Sequence, residues 1–281
     1  MKIGFIGQGW IGKNYALDFE ERGFDVVRYG KEPEYAGNKE KITECGIVFI
    51  AVPTPTTPKG FDVSIVEEVL SLIGPGKIAV IKSSLLPGTT EALQKLYPNI
   101  FVVHSPEFLT EVNARHDASH PLRNIIGIPI DTEIFRQKAK EVLDILPNSS
   151  YNKIMPSTSA ELIKYASNNL MYVKVVFVNM LYDMAVTFDQ NWDTIKEALL
   201  ADLRLGNSHF DPIHKYGRGA GGHCFIKDFA AFENTYESLI SDPKGKMMLK
   251  AIEDKNIDLL LSTQKDLDLL IGVYGEEIMQ K

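Results

Sequence analysis

Residues 2–29, KIGFI-GQGWIG-KNYALDFEERGF-DVVRY, decide the fold. A short apolar run from Lys2 to Ile6 leads straight into Gly7-Gln8-Gly9-Trp10-Ile11-Gly12. A helical pattern follows from Ile11 to Arg22, and Gly23 separates it from a second strand, Asp25 to Tyr29. A G-x-G-x-x-G motif alone is often coincidence. Between a strand and a helix, with a second strand behind it, the motif specifies a dinucleotide-binding turn. Its glycines permit the tight turn and the close approach of a pyrophosphate, whose charge the helix N-terminus favours. Gly7, Gln8, Gly9, Trp10, Ile11 and Gly12 are therefore the expected cofactor-binding turn.

The acidic residue that ordinarily ends the second strand and binds the adenosine ribose falls near position 30, which is Gly30. Arg28 and Lys31 flank it, and Glu32 and Glu34 lie just beyond. A cationic neighbourhood accommodates a 2′-phosphate, whereas Glu32 or a main-chain group in place of the acid suits the unphosphorylated cofactor. NAD is expected, with NADP left open.

Working outward, Cys45 to Val52 is a continuous apolar run, the pattern of a parallel strand buried on both faces. Cys45 is read as core. The loop Pro53 to Gly60 follows at a strand's C-terminal end, where open α/β sheets bind ligands. A helix over Val63 to Ile73, a strand over Lys77 to Lys82 and a helix ending at Leu96 come next. A strand over Ile100 to His104, another over Asn124 to Ile128 and a helix over Thr132 to Leu146 complete the series. Regular alternation implies an α/β, Rossmann-like, doubly wound parallel sheet over residues 1–156. After Pro156 neither Pro nor Gly occurs before Gly206, so a long helix over about 159–189 is expected. On it Glu161, Lys164, Asn168 and Asn179 share one side. Residues 157–281 are read as a helical domain, with the long helix at its centre and a helical tail from Lys246 to Ile271.

The second glycine-rich stretch, Gly217-Arg218-Gly219-Ala220-Gly221-Gly222, runs into His223-Cys224-Phe225-Ile226-Lys227-Asp228. Glycines let backbone approach a ligand closely or turn through positive φ. A thiol is a nucleophile as its thiolate, which cationic or helix-N-terminal surroundings favour. The layout is that of an activated nucleophile, set against the ordinary reading of a cysteine as a small buried hydrophobe.

A hydrophobic content of 44%, a charged content of 24% and a net charge of −7 describe a globular chain without the basic character of a nucleic-acid or anionic-membrane binder. No unbroken run of about 18 apolar residues suggests a membrane span, and the N-terminus lacks the apolar core of a secretion signal. Two cysteines suit a reducing compartment, so a cytoplasmic location is expected. The six histidines are scattered, and no metal site is expected.

The ordered motifs GQGWIG, VPTPT (Val52 to Thr56), KSSLLPGTT (Lys82 to Thr90), SPEFLTE (Ser105 to Glu111), AELIKYASNN (Ala160 to Asn169), DLRLG (Asp202 to Gly206) and GAGGHCFIKD (Gly219 to Asp228) resemble the UDP-glucose/GDP-mannose dehydrogenase family. The resemblance covers roughly residues 1–235. It implies a four-electron, NAD-dependent oxidation of a sugar's primary alcohol to a carboxylate, with a small sugar or nucleotide sugar as substrate. Carried over to this chain, Cys224 would form the thiohemiacetal and then the thioester. Lys164 would stabilise the oxyanion and Asn168 would hold that oxygen. Asp228 would position water or act as base, and Glu107 would serve as acid/base for hydrolysis. Glu107, Phe108, Leu109, Lys164, Asn168, Arg204, Gly219 and Gly221 would line the substrate, Arg204 reaching it from a partner subunit. Val52, Pro53, Thr54, Thr56, Ser83, Ser84 and Glu111 would join the glycine turn around the cofactor, and Ser84 would also serve the chemistry. A homodimer through the long helix is implied.

Ser84 stands where the family usually has Thr, His223 replaces a small residue beside Cys224, and Gly30 replaces the ribose-binding acid. The chain is expected to lack the family's C-terminal nucleotide-binding domain. Two other readings stand beside the leading one. A two-electron β-hydroxyacid-type dehydrogenase shares the plan but needs no Cys224. A non-catalytic dinucleotide-binding remnant would bind cofactor without turnover.

Overall fold

The computed structural model describes residues 1–110 and 112–280. The chain folds into two compact units. One comprises Met1–Thr54 and Asp62–Lys164; the other comprises Pro55–Phe61 and the chain from Tyr165 onward.

The first unit alternates strands and helices as its sequence pattern requires. In order they are β1 (Lys2–Ile6), α1 (Trp10–Glu21), β2 (Asp25–Tyr29), α2 (Pro33–Ala36) and β3 (Ile47–Ile50). The short hairpin strands β4 (Thr56–Thr57) and β5 (Gly60–Phe61) of the other unit interrupt the series. It resumes with α3 (Ser64–Leu70), β6 (Ile78–Ile81), α4 (Thr89–Leu96), β7 (Phe101–His104), α5 (Ala114–Ser119), β8 (Asn124–Ile128), α6 (Glu133–Leu143) and β9 (Asn152–Pro156). Seven strands form one sheet in the order β2-β1-β3-β6-β7-β8-β9. The runs IVFI and IAVI of β3 and β6 are buried at every position, as central strands covered on both faces should be. Phe5, Phe19 and Phe49 stack and abut around centroid distances of 5.0 to 5.3 Å in the core between sheet and α1.

Every pairing in this sheet is parallel except β7 with β8, which meet antiparallel. After β7 the chain turns back from the same edge of the sheet, and an antiparallel neighbour needs no crossover to the opposite edge. The strand β9 has a mostly exposed, polar pattern, NKIMP, and so carries no apolar signature in the sequence.

The helix α7 (Ser157–Thr187) has 31 residues and is shared by the units, its residues up to Lys164 belonging to the first. By length and composition it is apolar enough to cross a membrane. A search for an unbroken apolar run passes over it because Lys164, Asn168 and Asn179 interrupt the pattern. Those three, with Glu161 and Asn169, are buried polar side chains.

The second unit continues with α8 (Trp192–Leu200), the two-residue strands β10 (Ile213–His214) and β11 (Gly217–Arg218), α9 (Gly222–Leu239), α10 (Pro243–Ser262) and α11 (Leu267–Tyr274). Tyr172 of α7 stacks on Phe229 of α9 with ring centroids 4.0 Å apart. Ile226 and Ala230 of α9 pack with Ile257, Leu260, Leu270 and Val273, so α9 is held between α7 and the tail. The tail expected as one amphipathic segment is two helices, broken at Gln264 and Asp266, which both adopt positive φ.

Candidate active site

In the first unit the glycine turn is built for a charged ligand. Gly7 has φ +89°, and a Cβ there would lie 2.3 Å from the Ala51 carbonyl oxygen. At Gly12 a Cβ would sit 1.8 Å from the Gly7 carbonyl oxygen, so helix and strand meet only because residue 12 has no side chain. Around Gly9, by contrast, nothing lies within 4 Å of that position. Gly9 is the N-cap of the 12-residue α1, supplies no side-chain cap, and no acidic residue occupies the first turn. The amides at that end thus remain available to an anion. Gln8 is buried; its amide nitrogen donates to the Phe5 carbonyl at 3.2 Å, and among the described residues its Oε1 finds no donor. Trp10 is exposed and Ile11 half-buried. A dinucleotide fits these features: room over Gly9, a helix N-terminus and an orphaned acceptor.

The loops at the same edge of the sheet are tied together. Ser83 Oγ donates to the Val52 carbonyl at 2.7 Å and Thr54 Oγ1 to the Ser84 carbonyl at 2.9 Å. Pro53 is exposed and Ser84 half-buried. Thr56 falls in the second unit, where its hydroxyl donates to the Lys227 carbonyl at 3.0 Å. Glu111 lies outside the described residues.

After β7 the chain carries Glu107, buried, whose Oε1 accepts from Lys164 Nζ at 3.1 Å and whose Oε2 accepts from the Leu109 amide at 2.8 Å. Both side chains of this ion pair are 6% exposed. A desolvated pair of this kind is costly to break from one side, which fixes both groups in place. Phe108 lies beneath two cations, with Arg123 Cζ 3.6 Å and Lys164 Nζ 5.7 Å from its ring centroid. Glu161, one turn before Lys164, has a different task. Its carboxylate accepts from the Gly88 amide at 2.6 Å and from the amide and hydroxyl of Thr90, capping α4 and anchoring the KSSLLPGTT loop. Burial nonetheless raises its pKa, against the pull of these bonds.

Two buried groups here were not singled out from the sequence. Lys82 donates to Ser105 Oγ at 3.2 Å and lies 4.2 Å from the Tyr15 ring centroid. Burial brings its pKa down to about 8, with Glu107 pulling the other way. His104 is fully buried, and burial with the nearby charges of Lys82 and Lys164 holds it neutral, its pKa lowered to about 3. A lysine ending an otherwise apolar strand was the available signal.

In the second unit Cys224 lies in the first turn of α9 and is exposed. The helix begins at Gly222, so the thiol sits at the positive end of an 18-residue helix. One turn later Asp228 is 1% exposed. Its Oδ2 accepts from Asn168 Nδ2 at 2.6 Å and its Oδ1 from Lys227 Nζ at 2.5 Å. Cys45, in the other unit, is buried, and burial pushes its thiol up to about 11. Arg204 is exposed and paired with Asp202 at 2.6 Å.

The glycine-rich loop before Cys224 is bound by the tail, which the sequence did not foretell. Asn256 accepts from the Ala220 amide at 2.6 Å and donates to its carbonyl at 3.0 Å. Thr263 Oγ1 accepts from the Arg218 amide at 3.1 Å, Lys265 Nζ donates to the Gly219 carbonyl at 2.9 Å, and Asp266 Oδ2 accepts from the Gly222 amide at 2.7 Å. Gly219 has φ +87°, and a Cβ at Gly221 would lie 2.0 Å from Asp266 Oδ2. Glycines signalled a close approach; the partner is the chain's own tail.

With this geometry in place, comparison with known proteins is decisive. Residues 34–145 match the NAD binding domain of the UDP-glucose/GDP-mannose dehydrogenase family, and residues 158–257 match its central domain. The chain belongs to the UDP-glucose/GDP-mannose dehydrogenase family. It is an NAD-dependent dehydrogenase acting on CH–OH groups. It is 28% identical to the UDP-glucose 6-dehydrogenase of Pseudomonas aeruginosa, over 98% of this chain and 68% of that protein. Among solved structures, the UDP-glucose dehydrogenase of Pyrobaculum islandicum is 25% identical with a TM-score of 0.79, over 93% of this chain and 69% of that one. The 3-hydroxyisobutyrate dehydrogenase of Mycobacterium tuberculosis shares the fold, with a TM-score of 0.72 at 13% identity, over 97% of this chain and 98% of that one.

Proposed function

We propose that this dehydrogenase oxidises the primary alcohol of a nucleotide sugar of the UDP-glucose kind to the carboxylate, in two two-electron steps through Cys224. The observation that carries the reading is the contrast between the cysteines. Cys45 is buried and its thiol pushed up; Cys224 is exposed on the first turn of a long helix, where a thiolate is favoured. NAD supplies the hydride acceptor, one molecule for each oxidation.

The chain's own residues account for the rest. The Cys224 sulfur adds to the aldehyde carbon to give a thiohemiacetal. Loss of a second hydride from that carbon leaves a thioester, and water releases the acid and restores the thiol. Lys164 is assigned to the developing oxyanion, since a fixed cation in a desolvated place is worth most there. Asn168 holds the same oxygen, Asp228 orients water or takes its proton, and Glu107 exchanges protons during hydrolysis. Ser84 is assigned to the chemistry as well as to the cofactor, and Ser83, Val52, Pro53, Thr54, Thr56 and Glu111 to the cofactor. Phe108, Leu109, Gly219 and Gly221 are assigned to the sugar, and Arg204 to the substrate of a partner subunit. Residues 1–156 act as the cofactor domain and 157–281 as the central domain.

A homodimer is proposed through α7, on which Leu170, Phe177, Met180 and Met184 form one exposed apolar stripe. A monomer in sedimentation would exclude it, as would a dimer unaffected by Phe177→Glu with Met184→Glu.

The deciding test is product stoichiometry with UDP-glucose. Two NADH per acid formed, a protein thioester trapped at Cys224, and no acid from Cys224→Ala are expected. One NADH per turnover with full activity in Cys224→Ala would establish the two-electron reading instead. NADH binding with no turnover on any nucleotide sugar would establish the non-catalytic one.

A further inference from the structure

We propose that Lys82 is the standing counter-ion of Glu107, a positioning residue that keeps this carboxylate charged while Lys164 serves the substrate oxygen. The inference rests on the roles proposed above for Glu107 and Lys164, and adds to them a third buried group of the same unit.

Lys82 follows directly on β6, where its amide donates to the Ile50 carbonyl at 2.8 Å. The residue is 3% exposed, so its ammonium does not reach water as a snorkelling lysine would. Nζ donates to Ser105 Oγ at 3.2 Å and to the Ser105 carbonyl at 3.5 Å. It lies 4.2 Å from the Tyr15 ring centroid and 6.0 Å from that of Phe49. Among the described residues no carboxylate stands at ion-pair distance from it. A hydroxyl, a carbonyl and two aromatic faces are neutral partners, and a buried whole charge calls for more than these.

What answers it lies two residues beyond Ser105. Among the described residues, Glu107 is the carboxylate whose charge draws a proton towards Lys82, against the effect of burial. Attraction between two charges is mutual, so Lys82 favours the negative charge on Glu107 through the same interaction. The other groups nearby do not take its place. Burial raises the pKa of Tyr15 on α1 and keeps it neutral, and burial with both lysines keeps His104 on β7 neutral. Glu161 on α7 is engaged by Gly88 and Thr90, Asp18 on α1 by Arg22 at 2.8 Å, and Asp117 on α5 by Thr110.

The reaction gives this arrangement its use. Glu107 accepts one hydrogen bond from Lys164 at 3.1 Å. An oxygen gaining negative charge beside Lys164 competes with Glu107 for that ammonium, and a nearby like charge favours protonating a carboxylate. Once protonated, Glu107 could not take a proton from the attacking water. A second ammonium, fixed by Ser105, keeps the carboxylate charged through that step.

Two measurements on the full chain test this, and the first needs no substrate. Glu107→Gln should lower the melting temperature, because Lys82 and Lys164 lose the anion they share. Adding Lys82→Met to that variant should recover about 3 °C or more. For a lysine that merely fills space the two losses would add, and additive losses would overturn the assignment.

The second measurement follows acid formation from UDP-glucose. At about pH 6.5, Lys82→Met should form acid about tenfold more slowly than wild type, with thioester accumulating at Cys224. Burial brings the Lys82 pKa down to about 8, so its charge is present below that pH and lost above it. The advantage of wild type over Lys82→Met should therefore fall towards nothing as pH rises through about 8. Lys82→Arg, whose charge persists, should keep its advantage over Lys82→Met across the same range. An advantage of wild type that does not change with pH would mark Lys82 as structural and overturn the proposal. Absence of turnover on any nucleotide sugar would defeat the proposed chemistry and leave the melting cycle to decide the role of Lys82. Additive melting losses alongside two NADH per acid would defeat the Lys82 assignment alone.

Discussion

Two glycine-rich turns lead into helices in this chain, and they use glycine for opposite ends. Gly7–Gly12 leads into α1 and leaves open space over Gly9. Gly217–Gly222 leads into α9 and is filled by Asn256, Thr263, Lys265 and Asp266. Neither helix is capped by its own N-cap side chain. The first leaves its amides without a side-chain cap; the second gives an amide to an aspartate of the tail. A glycine cluster therefore reports a close approach without saying whose, and the answer lies in what the rest of the chain brings there.

The sharpest way to break the comparison is to fill the first turn. Gly12→Val places carbon within 1.8 Å of a backbone oxygen that has no side-chain freedom to yield. NADH binding should be lost and stability reduced by about 3 kcal/mol, read by titration and thermal denaturation. Gly9→Ala is the control. With nothing near its Cβ, it should melt within about 0.5 kcal/mol of wild type yet bind NADH about tenfold less tightly. If Gly9→Ala binds normally, the open space is not where the pyrophosphate goes.

The second turn should respond in the opposite sense. Asn256→Ala strips both the N–H and the C=O of buried Ala220 of their partner. A loss of about 2 kcal/mol is expected, with turnover reduced and NADH affinity retained. Asp266→Ala removes a cap contributed from a distant segment and should cost about 1 kcal/mol, with the same retention of NADH binding. Loss of NADH affinity in either variant would show that the two turns are not separable.

What was legible in the sequence divides along the same line. The first turn could be read because strand, glycines, helix and second strand are contiguous, so each local signal vouches for the next. The fold class, the long α7 and the continuous burial of β3 and β6 were readable for the same reason. The tail's grip was not, since Asn256 meets Ala220 across 36 residues and Lys265 meets Gly219 across 46. No periodicity records such a pairing. The start of α9 at Gly222 carries no signal either, because glycine is a poor helix former and its amide is taken up by Asp266 from outside. Lys82 and His104 were passed over because a polar residue ending an apolar strand looks like a boundary rather than a buried side chain. The antiparallel step from β7 to β8 left no mark at all, because direction is set by where the connection returns.

The smallest effect concerns how firmly the tail holds at different pH. Glu233 on α9 faces Glu253 on α10, with Lys250 and Asp254 of α10 also acting on it. Glu253 is engaged by Tyr274 Oη at 2.6 Å and Lys250 Nζ at 2.5 Å. Burial and the charge of Glu253 raise the Glu233 pKa from 4.5 to about 8. In the unfolded chain the same carboxyl loses its proton near 4.5, so between about pH 4.5 and 8 the unfolded state binds fewer protons than the folded one. The stabilisation is complete below that window and is lost as pH rises through it. The α9–α10 contact, and with it the clamp on the second turn, should loosen towards pH 8, while the first turn lacks this pair. Amide hydrogen exchange should therefore show α9 and α10 opening more readily at pH 8 than at pH 5 relative to α1, after correction for intrinsic exchange. Glu233→Gln, which keeps the shape and removes the titration, should flatten that difference. A slope that survives the substitution would assign the pH dependence to another group and leave the tail's hold independent of this pair.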